Sequence, residues 1–423
     1  MSLLPRVELT AAARLARRPV DPDTLATAAS IVEDVRARGE VALRHHAECL
    51  GDISPFEPIV VDRDGLDAAA GSLDMGRREM LERVAGRIRC FAAAQRAGLG
   101  DVDMVVPGGR AGHRWLPVAS VGAYAPGGRY PLPSTVLMTV IPARVAGVGQ
   151  VWVASPHPTP VILATAALGG ADGLLRVGGA QAVAALAFGT VSPACDVVVG
   201  PGNRWVTAAK KYVYGEVGID GLAGPSEILV IADGAADAAV VAADLLAQAE
   251  HDPDAVPMLV TTSVALADAV AEEIVAQIED LPTSATAAAA LEHGFSAVVG
   301  SIDEAMELSD RLAPEHVAIH LDDADAIAGR LTSFGSLFVG GGSAEVFADY
   351  GAGPNHVLPT GGGARFQAGL SVSTFLRSPT WTRLDDPAAL VEDTVLLARL
   401  EGLEAHARAA ERRAGGPVSE SEG

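Results

Sequence analysis

Near residue 120 the spacing of apolar positions along the chain changes period. Before that point it is helical. Leu25, Ala28, Ile31, Val32 and Val35 share one face between an Asp21-Pro22 start and Gly39, and Leu81, Val84, Ile88 and Phe91 recur at helical intervals. Residues 1 to about 120 are therefore expected to be helical and to do structural work. From Val121 onward, short apolar runs alternate with helical ones. The runs are Val121 to Tyr124, Val151 to Ala154, Leu174 to Val177, Val197 to Val199 and Ile228 to Ile231; between them lie Ser134 to Val145, Ala180 to Phe188 and Asn203 to Tyr214. Strands that are apolar on both faces and joined by helices describe a parallel sheet covered on two sides. After a helix from Ala236 to Glu250 the alternation resumes, with Met258 to Thr261, Val264 to Ile278, Ala297 to Val299, Ile302 to Leu312, Val317 to Ile319 and Leu337 to Val339. The pattern predicts two α/β units in succession.

Composition narrows the class. The chain has 423 residues, 49% hydrophobic and 20% charged, too many for one ordinary core and typical of a soluble globular protein. No uncharged apolar run approaches the roughly 18 residues of a membrane span, and the N-terminus lacks a basic stretch followed by an apolar one, so a cytoplasmic location is expected. Cys49, Cys90 and Cys195 are far apart and suggest neither a disulfide framework nor a metal pair. A net charge of -22 argues against nucleic acid or an anionic membrane surface as partner. The polar tail beyond Arg412 is expected to be disordered.

The candidate chemistry centres on Leu312-Ala313-Pro314-Glu315-His316. Pro314 should end the preceding helix and leave an acid and an imidazole where a helix hands over to a strand, a pairing suited to general acid-base catalysis near neutral pH. Taken alone, the pair reads as well as an exposed loop. In the first unit, glycine-rich turns follow three strands: Ala125-Pro126-Gly127-Gly128, Gly178-Gly179-Ala180-Gln181 and Gly200-Pro201-Gly202-Asn203. None completes a dinucleotide fingerprint, yet together they suggest a crevice where helix N-termini could meet an anion such as a pyrophosphate. Gln248 and His251, three apart at a helix end, could reach one metal ion, although a histidine there also suits the helix dipole. His45-His46 reads as a solvated face. Asp349 and His356 lie in glycine-rich irregular chain, where binding residues concentrate, and His406 lies on the last amphipathic helix.

Several of these stretches, in order, resemble histidinol dehydrogenases. They are Tyr124 to Gly128, Pro131-Leu132-Pro133-Ser134-Thr135-Val136-Leu137-Met138, Gly178 to Thr190, Gly200 to Asn203, Ala223-Gly224-Pro225-Ser226-Glu227, Asp244 to His251, Ala313 to His316 and Asp349 to Thr360. The resemblance implies two successive Rossmann-like parallel-sheet domains with a helical N-terminal region and a helical C-terminal segment. The expected division is an arm at 1–16, a larger α/β domain from 17–122 plus 229–370, an NAD-binding domain at 123–228, and a C-terminal segment at 371–423. It further implies oxidation of L-histidinol through the aldehyde to L-histidine, with NAD and zinc as cofactors. Glu315 and His316 would be the acid-base pair, Gln248, His251, Asp349 and His406 the zinc ligands, and Tyr124, Gln181 and Asn203 the NAD contacts. Ser134, Ser226, Glu345, His356 and Glu401 would touch the substrate, together with Gln248, His251, Glu315, Asp349 and His406 around the metal. The family's homodimeric arrangement would place Glu401 and His406 in the neighbouring subunit's pocket. A related zinc- and NAD-dependent dehydrogenase of another small alcohol, such as a hydroxysulfonate, is the alternative. The acidic groups favour a cationic substrate.

Overall fold

A single turn, α1 (Leu9–Ala12), precedes α2 (Pro22–Arg38), which starts as its residue types dictate: the Asp21 carboxylate accepts from the Thr24 N–H at 2.9 Å, and Gly39 ends the helix at φ 59°. There follow α3 (Glu40–Cys49), β1 (Val60–Asp62), α4 (Arg63–Ser72), α5 (Met75–Ala97), β2 (Val102–Val106), β3 (Gly109–His113) and β4 (Leu116–Pro117). The computed structural model describes residues 3–12, 20–127 and 130–414. Gly128 of the first glycine turn, the end of the N-terminal arm and the tail from residue 415 lie outside them.

The four strands correct the expectation of an all-helical start. β1 is only three residues long, and β2 is largely exposed, so neither leaves a clear apolar period. The readable signal was Pro107-Gly108, a turn in which Gly108 has φ 79°. On α5 the buried stripe is Leu81, Ala85, Ile88 and Ala92, whereas Phe91 is 39% exposed. Alanines complete the face that the larger side chains only outlined.

The first sheet contains β5 (Ser120–Tyr124), β6 (Gln150–Ala154), β7 (Gly173–Leu175), β8 (Val197–Val199) and β9 (Gly218–Ile219), with helices α6 (Pro133–Ala146), α7 (Pro160–Gly169), α8 (Gly179–Phe188) and α9 (Arg204–Val213) between them. Its order is β1-β7-β6-β5-β8-β9, parallel throughout except for β1, which joins β7 antiparallel. Helices α2 and α3 bury Ala28, Val32, Val35, Ala42 and Leu43 in this sheet's core, beside Leu175, Val198 and Val206. The sequence expectation grouped them with the second sheet; an apolar stripe says that a helix is buried, not against which partner.

The second sheet is built from β10 (Glu227–Ala232), β11 (Val256–Thr261), β12 (Phe295–Val298), β13 (His316–His320) and β14 (Ser336–Val339), with α10 (Ala238–Ala249), α11 (Val264–Ile278), α12 (Ser284–His293), α13 (Ile302–Leu312), α14 (Ala324–Ala328) and α15 (Glu345–Asp349). All its strands are parallel, in the order β12-β11-β10-β13-β14. The N-terminal arm extends this sheet's edge: Val7 N–H donates to Ser296 O at 2.9 Å, Ser296 N–H donates to Pro5 O at 2.8 Å, and Leu4 enters the core. The first and second sheets share one winding, in which the chain starts centrally, moves outward, and returns to the other side of the first strand.

A separate compact unit comprises Gln95–Pro117 and Leu376–Gly423. Within it β15 (Leu376–Arg377) pairs with β4, β16 (Thr380–Leu384) extends the β2–β3 hairpin, and α16 (Ala388–Leu400) packs on α17 (Glu404–Glu411). Among the described residues no helix is long and apolar enough to cross a membrane.

Candidate active site

Pro314 does what its type predicts. Helix α13 stops at Leu312, and Ala313 takes the left-handed conformation at φ 46°, unusual for a residue with a side chain. The turn puts Glu315 just before β13 and makes His316 its first residue, paired with Ile228 and Ser336 on the flanking strands. The acid and imidazole are buried rather than exposed on a loop.

Both are held by one residue, Glu227, at the start of β10. Its backbone N–H donates to Glu315 Oε2 at 2.9 Å, and its carbonyl lies 3.1 Å from His316 Nδ1. A carbonyl only accepts, so the proton of a neutral imidazole belongs on Nδ1 and the Nε2 lone pair is left available. Burial holds the His316 pKa down at about 4, and burial pushes the Glu315 carboxyl well above its ordinary value, against the Glu227 N–H, which favours the carboxylate.

Four further groups gather around this pair. Gln248, in the last turn of α10, sets its side-chain amide 3.2 Å from His316 Nδ1 and from the Glu227 carbonyl and 3.3 Å from both Glu345 oxygens. His251 follows the end of α10, and its Nε2 lies 3.8 Å from Asp349 Oδ2. Glu345 and Asp349 begin and end α15, and Glu345 Oε1 is 3.5 Å from His316 Nδ1. His356 connects the group to the first sheet: its Nδ1 donates to Asp349 O at 3.1 Å and its Nε2 is 3.2 Å from the Thr135 hydroxyl of α6. Ser134 precedes that threonine, and Ser226 immediately precedes Glu227 at the start of β10.

Ligand atoms of His251, Glu345 and Asp349 all lie within 4.8 Å of one another. Burial, then the charges of Asp349, Glu315 and Asp244, push the Glu345 carboxyl well above its ordinary value. A divalent cation among these oxygens and an imidazole nitrogen would relieve that repulsion, and the nitrogen-oxygen donor set suits zinc. The residues fit the ion. Glu345, expected as a substrate contact, lies within this trio, a placement its spacing could not reveal. Glu401 and His406 fall in the separate C-terminal unit, both exposed, on the cap of α16 and on α17.

The expected NAD contacts sit at the carboxyl ends of the first sheet's strands. Tyr124 ends β5; its hydroxyl accepts from the Gly179 N–H at 3.3 Å, and burial raises its pKa to about 12. Gln181 is buried, and its Nε2 donates to Asp52 Oδ2 at 3.1 Å. Asn203 caps α9, its Oδ1 accepting from Trp205 and Val206 N–H at 3.0 and 3.2 Å. In two of the glycine turns one backbone amide is engaged by a carboxylate of the chain itself. Asp52 accepts from the Gly178 N–H at 2.8 Å and Asp220 from the Gly200 N–H at 2.6 Å. Neither acid carries a local motif, because each reaches its turn through the tertiary fold.

The candidate acid-base pair lies at the amino ends of β10 and β13, opposite to the usual place of ligands in open parallel sheets. Helix-to-strand loops supply it, and the contact of His356 with α6 sets it beside the carboxyl end of the first sheet.

The family model described as histidinol dehydrogenase matches residues 16–414. The histidinol dehydrogenase of Parasynechococcus marenigrum is 45% identical over 393 residues, covering 90% of this chain and 89% of that protein. The Thermus thermophilus enzyme of the same name is 44% identical over 407 residues, 95% of this chain and 98% of its own. A crystal structure of histidinol dehydrogenase from Elizabethkingia anophelis superposes with a TM-score of 0.91 at 32% identity, covering 98% of each chain. The chain belongs to the histidinol dehydrogenase family, NAD-dependent oxidoreductases that carry out the final oxidation of histidine biosynthesis.

Proposed function

We propose that Glu315 and His316 carry the oxidation of L-histidinol through L-histidinal to L-histidine, with two NAD reduced per substrate. The observation that carries this reading is the convergence of Gln248, His251, Glu315, His316, Glu345 and Asp349 at one end of the second sheet. An alcohol must lose a proton as its hydride leaves for the nicotinamide, and His316 Nε2 takes that proton. The aldehyde then adds water, whose proton passes to the Glu315 carboxylate, and the hydrate gives up the second hydride. One alcohol, one water and two NAD thus give a carboxylate, two NADH and three protons. A carboxyl raised by burial is a stronger base than an exposed one, which suits the water step near neutral pH.

Gln248, His251 and Asp349, with His406 of the partner subunit, would hold a zinc ion, which when bound orients the amine and imidazole of the substrate. Ser134, Ser226, Glu345, His356 and the partner's Glu401 would contact the substrate. The concentration of acid here suits a cation and would repel a sulfonate. NAD would lie on residues 123–228, against Tyr124, Gln181 and Asn203. A homodimer is supported by Leu396, Leu397, Leu400 and Leu403 of the C-terminal helices, which are 57%, 59%, 84% and 43% exposed, a patch that a second copy could cover. A cytoplasmic setting fits three free cysteines, two of them exposed.

The test is an assay of the purified, zinc-loaded protein with NAD and either histidinol or a hydroxysulfonate. Two NADH per histidinol, and none with the sulfonate, is the expected result. NADH with the sulfonate alone would overturn the assignment.

A further inference from the structure

One buried histidine stands outside the proposed chemistry. His320 ends β13, is 5% exposed, and sets its Nε2 3.0 Å from Asp244 Oδ2 on α10. A carboxylate accepts, so this nitrogen carries a proton that it donates to Asp244. Two rungs therefore join the same helix to the same strand. Gln248 lies one helical turn beyond Asp244, and its Oε1 stands 3.2 Å from Nδ1 of His316, which shares a face of β13 with His320. Between the rungs the contact is apolar, with Ala318 in one core with Val241 and Leu245.

The pair also underlies the other helix of the site. Gly340 N–H donates to Ile319 O at 2.9 Å, and a Cβ on Gly341 would stand 3.7 Å from His320 Nδ1. The turn that leads from β14 to α15 thus rests on the end of β13. Helix α15 carries Glu345 and Asp349, while α10 carries Gln248 and delivers His251. Positions 244, 248 and 251 recur at the spacing that keeps them on one helical face.

A polar pair buried between a helix and a sheet stabilises the fold no more than an apolar pair of similar volume, so stability alone does not account for it. What the hydrogen bond adds is direction. Apolar side chains slide past one another at little cost, whereas a 3.0 Å donor-acceptor contact is made at one register only. We propose that Asp244 and His320 are positioning residues for the metal: their bond fixes α10 on β13 at the register that brings Gln248 and His251 to Asp349. The inference deepens the proposed zinc site and rests on it.

The test measures zinc affinity by competition with a chromophoric chelator, and ADP-ribose affinity beside it, in the full-length protein and three variants. His320→Leu should weaken zinc about tenfold or more and leave ADP-ribose unchanged. His320→Gln, whose amide can still donate to Asp244, should restore most of the zinc affinity. Asp244→Leu combined with His320→Leu strands no buried charge. It should melt at or above the wild-type temperature once zinc is removed from both, yet stay as weak for zinc as the single variant. The double variant carries the test if His320→Leu does not fold. Zinc affinity unchanged in both leucine variants overturns the inference, as does an equal loss for ADP-ribose. Recovery of zinc affinity in the double variant overturns it too, because the pair would then only fill space. A wild-type protein that binds no zinc would instead sink the reading beneath it.

Discussion

His316 and Glu315 are held by the same residue: the N–H of Glu227 steadies the carboxylate and its carbonyl fixes the imidazole proton on Nδ1. Their roles separate on mutation. Glu315→Gln should leave alcohol oxidation largely intact and cut aldehyde oxidation by about a hundredfold or more, the size of a general-base contribution. Stopped-flow traces with histidinol and histidinal as separate substrates would measure it, and equal losses in both would refute the division. Asp349→Asn replaces a buried charge at the centre of the trio with a neutral amide. It should lower metal content at least about tenfold after dialysis against a weak chelator, read by elemental analysis. The sequence exposed Glu315 and His316 because Pro314 is a local signal, and His251 because it ends a helix. It could not expose the trio that includes Glu345, or the bond from Thr135 to His356, since those meet only when separate loops are folded together.

Helices and strands were legible wherever the apolar period was long. Helices α11 and α13 match their expected ranges, and β5 and β8 fall within a residue of theirs, while α7, α12 and β9 carry too little contrast to stand out. Packing between elements adds terms that no period contains. Lys210 on α9 is fully buried against Asp220, and its Nζ also donates to Gly200 O at 2.9 Å, tying the helix to the turn that carries Asn203. Lys210→Met would strand a buried carboxylate, so a loss of about 3–5 kcal/mol is expected in urea denaturation. A milder case joins α2 to α3, where Asp34 pairs with Arg38 and lies 2.8 Å from His46. Its hydrogen bond from Arg38 lowers the carboxyl pKa to about 2. A depressed carboxylate stabilises the fold above its unfolded value, and that share vanishes as the pH falls through the folded value. The stability deficit of Asp34→Asn against wild type should therefore be full at pH 6 and shrink through acid, followed by denaturant midpoints at each pH.

At the scale of the molecule, two sheets with one winding are placed so that His356 joins α6, at the carboxyl end of the first, to α15, which follows the second. The proposed dimer has its own test. Glu315→Gln and His406→Ala subunits, each deficient in aldehyde oxidation alone, should regain about a quarter of wild-type aldehyde oxidation when mixed and reassembled, because half the dimers are mixed and each carries one intact site. No recovery in verified mixed dimers would mean that each subunit builds its site alone. The sequence by itself determined the two parallel α/β units, the helix stop before Glu315, and the family, because periodicity, proline and ordered motifs are written locally. Only the tertiary structure decided that α2 and α3 serve the first sheet, that Asp52 and Asp220 each bond an amide of a glycine turn, and that Glu345 joins His251 and Asp349. Those contacts bring together residues distant in the chain, and the energy that selects them comes from burial, charge and hydrogen bonding in the packed molecule rather than from any short stretch of it.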